Sequence, residues 1–273
     1  MASYLKNKEY CNTISNETGE AMGALNTAVD LPPHPKILVT IPAYNEAGYI
    51  EAIIKKTQQY VDQVVVVDDG SSDETSRYAA GAGADVVLHE HNKGYGEAIR
   101  SCLDAANRLL ADIVVTMDGD GQHDPQEIQA IISPIVIGQA DIVIGSRFLN
   151  NLNEVPAYRK FGIKVITGLF NVFSSMKVSD AQSGFRAYNK KALALLLPLQ
   201  ETGMSISTEI IIKARKLGLR VVEVPITVVY HGDSSTFNPV VHGLSVAMAT
   251  ISQRFQIELN FNRRGSAHSC RRQ

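Results

Sequence analysis

A chain of 273 residues, 45% of them hydrophobic, can bury a full core in one large or two small domains, which excludes a disordered or fibrous protein. A formal net charge of -2 and a pI near 6.4 exclude global attraction to nucleic acid, so any hold on anions must be local. The three cysteines, Cys11, Cys102 and Cys270, are odd in number, far apart and outside metal-ligand spacing, which fits a reducing compartment rather than a disulfide framework.

The first stretch, MASYLKNKEYCNTISNETGEAMGALNTAVD, lacks the apolar core of a signal peptide and reads as a mobile arm over residues 1–35. From Lys36 an alternation begins. KILVTI is a strand, and AGYIEAIIKKTQQY spaces Ile50, Ile53, Ile54 and Tyr60 along a helix face. QVVVV is a second strand, apolar throughout because both faces of a parallel sheet are covered. SDETSRYAAGAG opens a helix with Ser72 as cap and an acidic first turn. ADVVLHE, DIVVTM and ADIVIGS are further strands, with GEAIRSCLDAANRLL and PQEIQAIISPI as helices between them. Such βα alternation with right-handed crossovers predicts an α/β fold whose central sheet is mostly parallel, with helices on both faces.

After Arg147 the rhythm changes. AYRKFGIKVITGLFNVFSSM is helical with basic residues at its start, SGFRAYNKKALALL is a short link and a helix, and STEIIIKARKLG is helical. LRVVEVPITVVY is extended and broken at Pro225, and NPVVHGLSVAMATISQRFQIEL closes with a helical pattern. With no linker and no internal repeat, one domain over residues 36–236 is expected, followed by a C-terminal helix and basic tail over 237–273. No stretch reaches the roughly 18 apolar residues of a spanning helix, so any membrane contact is expected along a surface.

In open α/β sheets ligands bind beyond the carboxyl ends of the strands. The loops there are PAYNEA, DDGSSDE, HNKGYGEA, DGDGQHD and GSRF, all polar, acidic or glycine-bearing. Asp118 and Asp120 share a face in extended chain, where Gln122 would add an amide oxygen; a hard divalent cation, a simple Asp-Gly turn and a phosphatase-type nucleophile are all readings of that pair. A calcium loop is excluded by His123 at position six and Gln129 at position twelve. Asp73 and Glu74 suit helix capping, leaving Asp69 as an acceptor for a ribose hydroxyl or a base N–H. NKGYGEA begins like a dinucleotide fingerprint but has Ile99 at the third glycine position, so it fits a phosphate-approaching helix start better than a dehydrogenase.

Taken in order, IPAYNEA, VVDDGSSDET, NKGYGEAIR, MDGDGQHDP, GSRF and DAQSGFRAY resemble the GT-A glycosyltransferases of family 2, and within them the polyprenyl-phosphate sugar synthases typified by dolichyl-phosphate mannose synthase. The match runs from about Ile37 to about Ser234. The resemblance implies a Rossmann-like GT-A domain that moves a sugar, with inversion, from a UDP- or GDP-sugar to a polyprenyl or dolichyl monophosphate. It implies that Asp118, Asp120 and Gln122 hold Mg²⁺ or Mn²⁺. Pro42, Tyr44, Glu46 and Asp69 would line the nucleotide sugar, with Asp68, Lys93, Gly94 and Gly119 beside them. Arg147 and Arg159 would face the acceptor phosphate; Ser183, Gly184, Arg186, Gly232 and Ser234 would lie on the acceptor side, with a structural ion pair as the alternative for Arg186. Where many relatives carry Arg-x-x-Gly-x-Ser-Lys, this chain has Val229 and Ser235 in place of the Arg and Lys, which leaves His231 as the candidate donor there.

The implied chemistry needs no strong base, because a phosphate monoester is already largely ionised near neutral pH. His89, His91, His123 and His242 are accordingly expected to be packed or solvated. An acceptor that stays in the bilayer implies a peripheral protein on the cytoplasmic face of a membrane, through the basic and apolar segment from Tyr158 to Met176 and the arginines of FNRRGSAHSCRRQ. A membrane-anchoring protein partner or a homo-oligomer would complete that attachment. Two other readings keep the residues in view: transfer to a glycan or protein hydroxyl with Asp180 as base, and a non-catalytic nucleotide-sugar-binding module.

Overall fold

The computed structural model describes residues 31–149, 157–172 and 177–229. Seven strands form one sheet: β1 (Ile37–Ala43), β2 (Gln63–Asp68), β3 (Asp85–Leu88), β4 (Ile113–Thr116), β5 (Ile142–Ser146), β6 (Arg186–Asn189) and β7 (Val221–Pro225), in the spatial order β3-β2-β1-β4-β6-β5-β7. All pairings are parallel except those of β6, which runs antiparallel to both β4 and β5. The α/β reading and the mostly parallel sheet therefore stand.

Why most of the strands are so apolar is visible in the two cores. On one face α1 (Ile50–Thr57), α2 (Thr75–Gly81) and α4 (Ile128–Val136) pack on Val39, Ile41, Val64, Val66, Ile113 and Val115. On the other, α3 (Tyr95–Arg108), α6 (Lys190–Leu196) and α7 (Ile206–Lys216) cover Leu38, Val65, Val114, Ile142 and Tyr188. Neighbours along a strand alternate between the two layers, so the strands covered on both faces, β1, β2, β4 and β5, are apolar at nearly every position. In α1 the buried set Ile50, Ile53, Ile54 and Thr57 has the i, i+3, i+4, i+7 spacing of one helix face. Each such isoleucine contributes roughly 1.5–3 kcal/mol on burial.

Three expectations change. SGFRAYNKKALALL is not a link and one helix: RAYN is strand β6, and Asn189 then caps α6 by accepting from the Ala192 N–H at 2.8 Å. A four-residue strand with little β-branched content has no periodic signal, and only its two neighbours in the sheet define it. Ser72 does not cap α2; it bonds to Asn45, and Asp73 accepts from the Thr75 N–H at 3.0 Å. Residues 117–123 are not extended either, since β4 ends at Thr116 and Gly121 takes φ 76°, so alternation is not what aligns Asp118 with Asp120.

The helix α5 (Ala157–Val172) is fastened by Thr167, which accepts from the Ala181 N–H at 3.2 Å, and by Asn171, which bonds both main-chain groups of Val178. Its Phe161 and Val165 are exposed, as are Lys160 and Lys164. Among the described residues no helix is long and apolar enough to cross a membrane. Most of the N-terminal arm, together with Gly232, Ser234, Ser235, His231, His242 and the C-terminal helix, lies outside the described residues.

Candidate active site

Loops from β1, β2, β3, β4, β5 and β7 leave the sheet at one edge, and β6, being antiparallel, enters there. The loop after β1 is tied to the loop after β2: the Asn45 N–H donates to Ser71 Oγ at 2.9 Å, Asn45 Oδ1 accepts from the Ser72 N–H at 2.8 Å, and the Glu46 N–H donates to Thr75 Oγ1 at 2.8 Å. Asn45 itself takes φ 57°, a conformation asparagine tolerates better than most residues. Pro42 is buried and Tyr44 is exposed. A methyl group on Gly119 would come within 3.3 Å of the Pro42 carbonyl oxygen and of the Ile41 side chain, so the loop after β4 packs closely on the end of β1.

Asp68 and Asp69 are both buried and both occupied. Asp68 Oδ1 accepts from the Ser71 N–H at 2.8 Å and Oδ2 from the Ser76 hydroxyl, which makes it the internal tie of its own loop. Asp68 therefore shapes the loop that is expected beside the nucleotide. Asp69 gathers the next loop, accepting from the N–H groups of Lys93 at 2.9 Å and Gly94 at 2.8 Å and bonding His89 Nδ1 at 2.6 Å; His89 Nε2 reaches Ser101 Oγ at 2.9 Å. Lys93 and Gly94 are thus held against the β2 loop through their main chain. His89 is packed, as expected.

Asp118 lies at the centre. Its Oδ1 accepts from the Tyr95 hydroxyl at 3.3 Å, and its Oδ2 is 3.4 Å from His123 Nε2. The strand β6 brings Gly184 against it so closely that a Cβ there would stand 2.4 Å from Oδ2. Burial alone would raise the Asp118 pKa, but His123, Tyr95 and Arg147 outweigh it and hold the carboxyl below its ordinary range. Asp120 Oδ1 accepts from the Gln122 N–H at 3.0 Å, closing the turn, while the Gln122 carbonyl accepts from the Val229 N–H at 3.0 Å. The chain beyond β7 therefore runs back beside this loop, where His123 and Val228 also form a bridge.

Glu46 is the third carboxylate here. Burial first, then the charges of Asp120, Asp118 and Asp73, push its pKa up to about 7. Among the described residues no three His, Cys, Asp or Glu side chains form a closed chelate. What Asp118 and Asp120 offer is the open, one- or two-carboxylate setting in which Mg²⁺ keeps water and phosphate oxygens as its remaining ligands. The charges that raise Glu46 come from Asp118 and Asp120 among others, and that concentration of acid at the strand ends suits a divalent cation on those two carboxylates.

Arg147 follows β5 and faces the same space. Its Nε and Nη2 meet Asp180 Oδ2 and Oδ1 at 2.6 and 2.8 Å, and its side chain keeps 15% exposure while that of Asp180 has none. Burial opposes ionisation of Asp180, and the Arg147 charge overcomes it, holding the carboxyl below its ordinary range. A base role for Asp180 does not fit a carboxylate locked in this way. Arg186, for which an acceptor-side place and a structural ion pair were both expected, is 2% exposed and spends its guanidinium on the carbonyls of Ser183, Ser207 and Ala181 at 2.8, 2.9 and 2.8 Å; these contacts fit the structural reading, with main-chain oxygens in place of an acid. Ser183 is also buried, accepting from the Phe185 N–H at 3.3 Å. Arg159 is the third residue of α5.

Sequence reasoning placed Asp118, Asp120, Glu46 and Arg147 on one edge. It missed His123 and Tyr95 as partners of Asp118, although both lie in the loops singled out. For Asp180 as the partner of Arg147, and for Glu223 behind it, no local signal existed.

A family model described as glycosyl transferase family 2 matches residues 38–197. The UDP-N-acetylglucosamine–dolichyl-phosphate N-acetylglucosaminyltransferase of Methanococcus voltae is 34% identical over 215 residues, covering 71% of this chain and 86% of the relative. A polyprenol monophosphomannose synthase of Mycolicibacterium smegmatis is 31% identical over 217 residues, covering 75% and 82%. Among solved structures, the glucosyl-3-phosphoglycerate synthase of Mycobacterium tuberculosis, crystallised with Mn²⁺, UDP and phosphoglyceric acid, superposes with a TM-score of 0.61 at 22% identity, over 81% of this chain and 78% of that one.

Proposed function

Because the chain belongs to glycosyl transferase family 2, we propose that this glycosyltransferase moves a sugar from a nucleotide diphosphate sugar to a polyprenyl or dolichyl monophosphate. The observation that carries the reading is that the loops after β1, β4 and β5 leave the sheet at one edge and bring Glu46, Asp118, Asp120 and Arg147 within electrostatic reach of one another there. Relatives whose names specify dolichyl phosphate and polyprenol as acceptors support it.

In this proposal Asp118 and Asp120, with Gln122 as a third ligand, hold Mg²⁺ or Mn²⁺. When bound, the cation supplies Lewis-acid stabilisation of the charge that develops on the leaving diphosphate. The residues of the chain do the rest. Pro42, Tyr44, Asp69 and the main chain of Lys93 and Gly94 form the nucleotide side. Arg147 and Arg159 orient the acceptor phosphate, the planar guanidinium being suited to bidentate contact with phosphate oxygens. An oxygen of that ionised phosphate attacks the anomeric carbon, and the bond to the diphosphate breaks with its electron pair leaving on the nucleotide. No side chain has to remove a proton, which agrees with the locked state of Asp180.

The lipid acceptor requires contact with a membrane surface, and α5 suits this: one side is fastened to residues 178–181, while Phe161 (73% exposed) and Val165 (42%) stand beside the exposed Lys160 and Lys164. The cytoplasmic face is where nucleotide sugars and such a peripheral protein would meet. Incubation with radiolabelled UDP- and GDP-sugars, polyprenyl phosphate and Mg²⁺ or Mn²⁺ tests the reading. A metal-dependent, acid-labile lipid product is expected; label found only in water-soluble glycan would overturn it.

A further inference from the structure

Arg147 is aimed by Asp180, and Asp180 is itself held from behind. Glu223 stands in the fourth sheet position beyond β1, in register with Ile144 of β5. Its Oε1 accepts from the Ser179 N–H at 2.9 Å, the Ser179 hydroxyl at 2.9 Å and the Asp180 N–H at 3.0 Å, and its Oε2 lies 2.8 Å from the Ser179 nitrogen. The Ser179 hydroxyl also meets Ser146 Oγ at 2.6 Å, so the turn before Asp180 is tied to the end of β5 and the middle of β7, two adjacent strands. Asp180 then grips Arg147 through both guanidinium contacts and accepts from its N–H at 3.3 Å.

We propose that Glu223 is a positioning residue of the transfer site: it fixes the Ser179–Asp180 main chain so that the Asp180 carboxylate presents Arg147 to the acceptor phosphate. The inference rests on the reading of function above for what Arg147 touches, though not for how Arg147 is held. A neutral apolar residue at 223 would leave two main-chain N–H groups without their acceptor in a half-buried turn, and the turn would relax. The carboxylate is charge-assisted at each contact, which explains an acid in a strand whose neighbours are Val222 and Val224.

A double-mutant cycle on the full chain tests this. Glu223→Ala is expected to raise KM for polyprenyl phosphate about tenfold while changing the Kd for UDP or GDP with Mn²⁺ less than about twofold; in an Arg147→Ala background the same substitution should alter transfer less than about twofold, because coupled residues are not additive. Glu223→Gln, which keeps one acceptor oxygen and the size of the side chain, should fall between wild type and Glu223→Ala. Additive losses, or equal weakening of nucleotide and acceptor, would overturn the proposal. A second readout needs no acceptor: the Nε–H resonance of Arg147 in NMR, assigned by its disappearance in Arg147→Lys, should move toward the free-arginine position in Glu223→Ala. If it stays, the positioning role is wrong; if wild type makes no lipid product while the resonance moves, the acceptor assignment is wrong and the positioning stands.

Discussion

At the amino end of β5, Asp141 binds Arg220 through both carboxylate oxygens and also accepts from the Arg220 N–H at 2.9 Å and Asn189 Nδ2 at 3.0 Å. At its carboxyl end, Arg147 binds Asp180 through the same kind of paired contact. The two pairs share their chemistry and differ in what surrounds them. Around Asp141 the contacts close structure: Arg220 also reaches the Gly138 carbonyl, the Asp141 carbonyl accepts from the Asn189 N–H, and the Asp141 N–H donates to the Arg220 carbonyl, which ties β5 to β6 and to the entry of β7. In both pairs the acid is the hidden member and the arginine the more open one, but only Arg147 stands close enough to a strand-end carboxylate, Asp118, to lower its pKa. An arginine–aspartate pair becomes part of a site when the sheet edge it occupies is the one where loops diverge.

Breaking the carboxyl edge should abolish transfer and leave the fold. Asp118→Asn or Asp120→Asn is expected to lower transfer about 10³-fold, the scale of a lost electrostatic stabiliser, with far-UV circular dichroism and Tm near wild type. Gly184→Ala comes next: its methyl group would overlap Asp118 Oδ2, and shifting that carboxylate by about 1 Å should cost roughly 10²-fold in kcat/KM.

Breaking the amino edge should do the reverse. Asp141→Ala is expected to remove about 2–3 kcal/mol of stability, a Tm fall of roughly 5–10 °C in thermal melts, with kcat/KM for transfer unchanged in the surviving folded protein. Burial opposes ionisation of Asp141, but its bonds to Arg220 and Asn189 prevail and lower its pKa to about 2. Its contribution is therefore present above the ordinary carboxylate value near 3.8 and lost as pH falls through about 2, a window that acid titration of wild type against Asp141→Ala would expose.

The smallest effect sharpens the contrast by sign. Glu46, raised to about 7, favours the folded state while protonated, and that stability is lost as pH rises from about 4.5 through about 7. Mn²⁺ should oppose the loss, raising Tm by a few degrees more at pH 8 than at pH 5. Glu46→Gln should flatten the pH dependence measured without metal.

Much of this was readable in advance for a physical reason. The βα alternation is encoded locally, in period and punctuation, and it alone puts the loops with Glu46, Asp69, Asp118 and Arg147 on one edge. The internal use of Asp68 was not readable, because Asp68 and Asp69 are identical side chains one residue apart, both buried, and only their partners distinguish them: Asp68 ties its own loop and Asp69 the next. Nor was the brace made by Arg186, whose three carbonyl partners come from a turn and from a helix about twenty residues away. The strand β6 escaped notice because its antiparallel partners lie on either side of it in space and far from it in the chain.

What the amino-acid sequence by itself determined is the α/β alternation, the family and the identity of the acidic and basic groups at the strand ends, since these depend on residue type and short spacing. Only the tertiary structure decided which of those groups point into the cleft and which are spent on holding it. That choice rests on contacts such as Gly184 with Asp118 and Glu223 with Asp180, between residues dozens of positions apart, where packing and hydrogen-bond satisfaction leave a single arrangement.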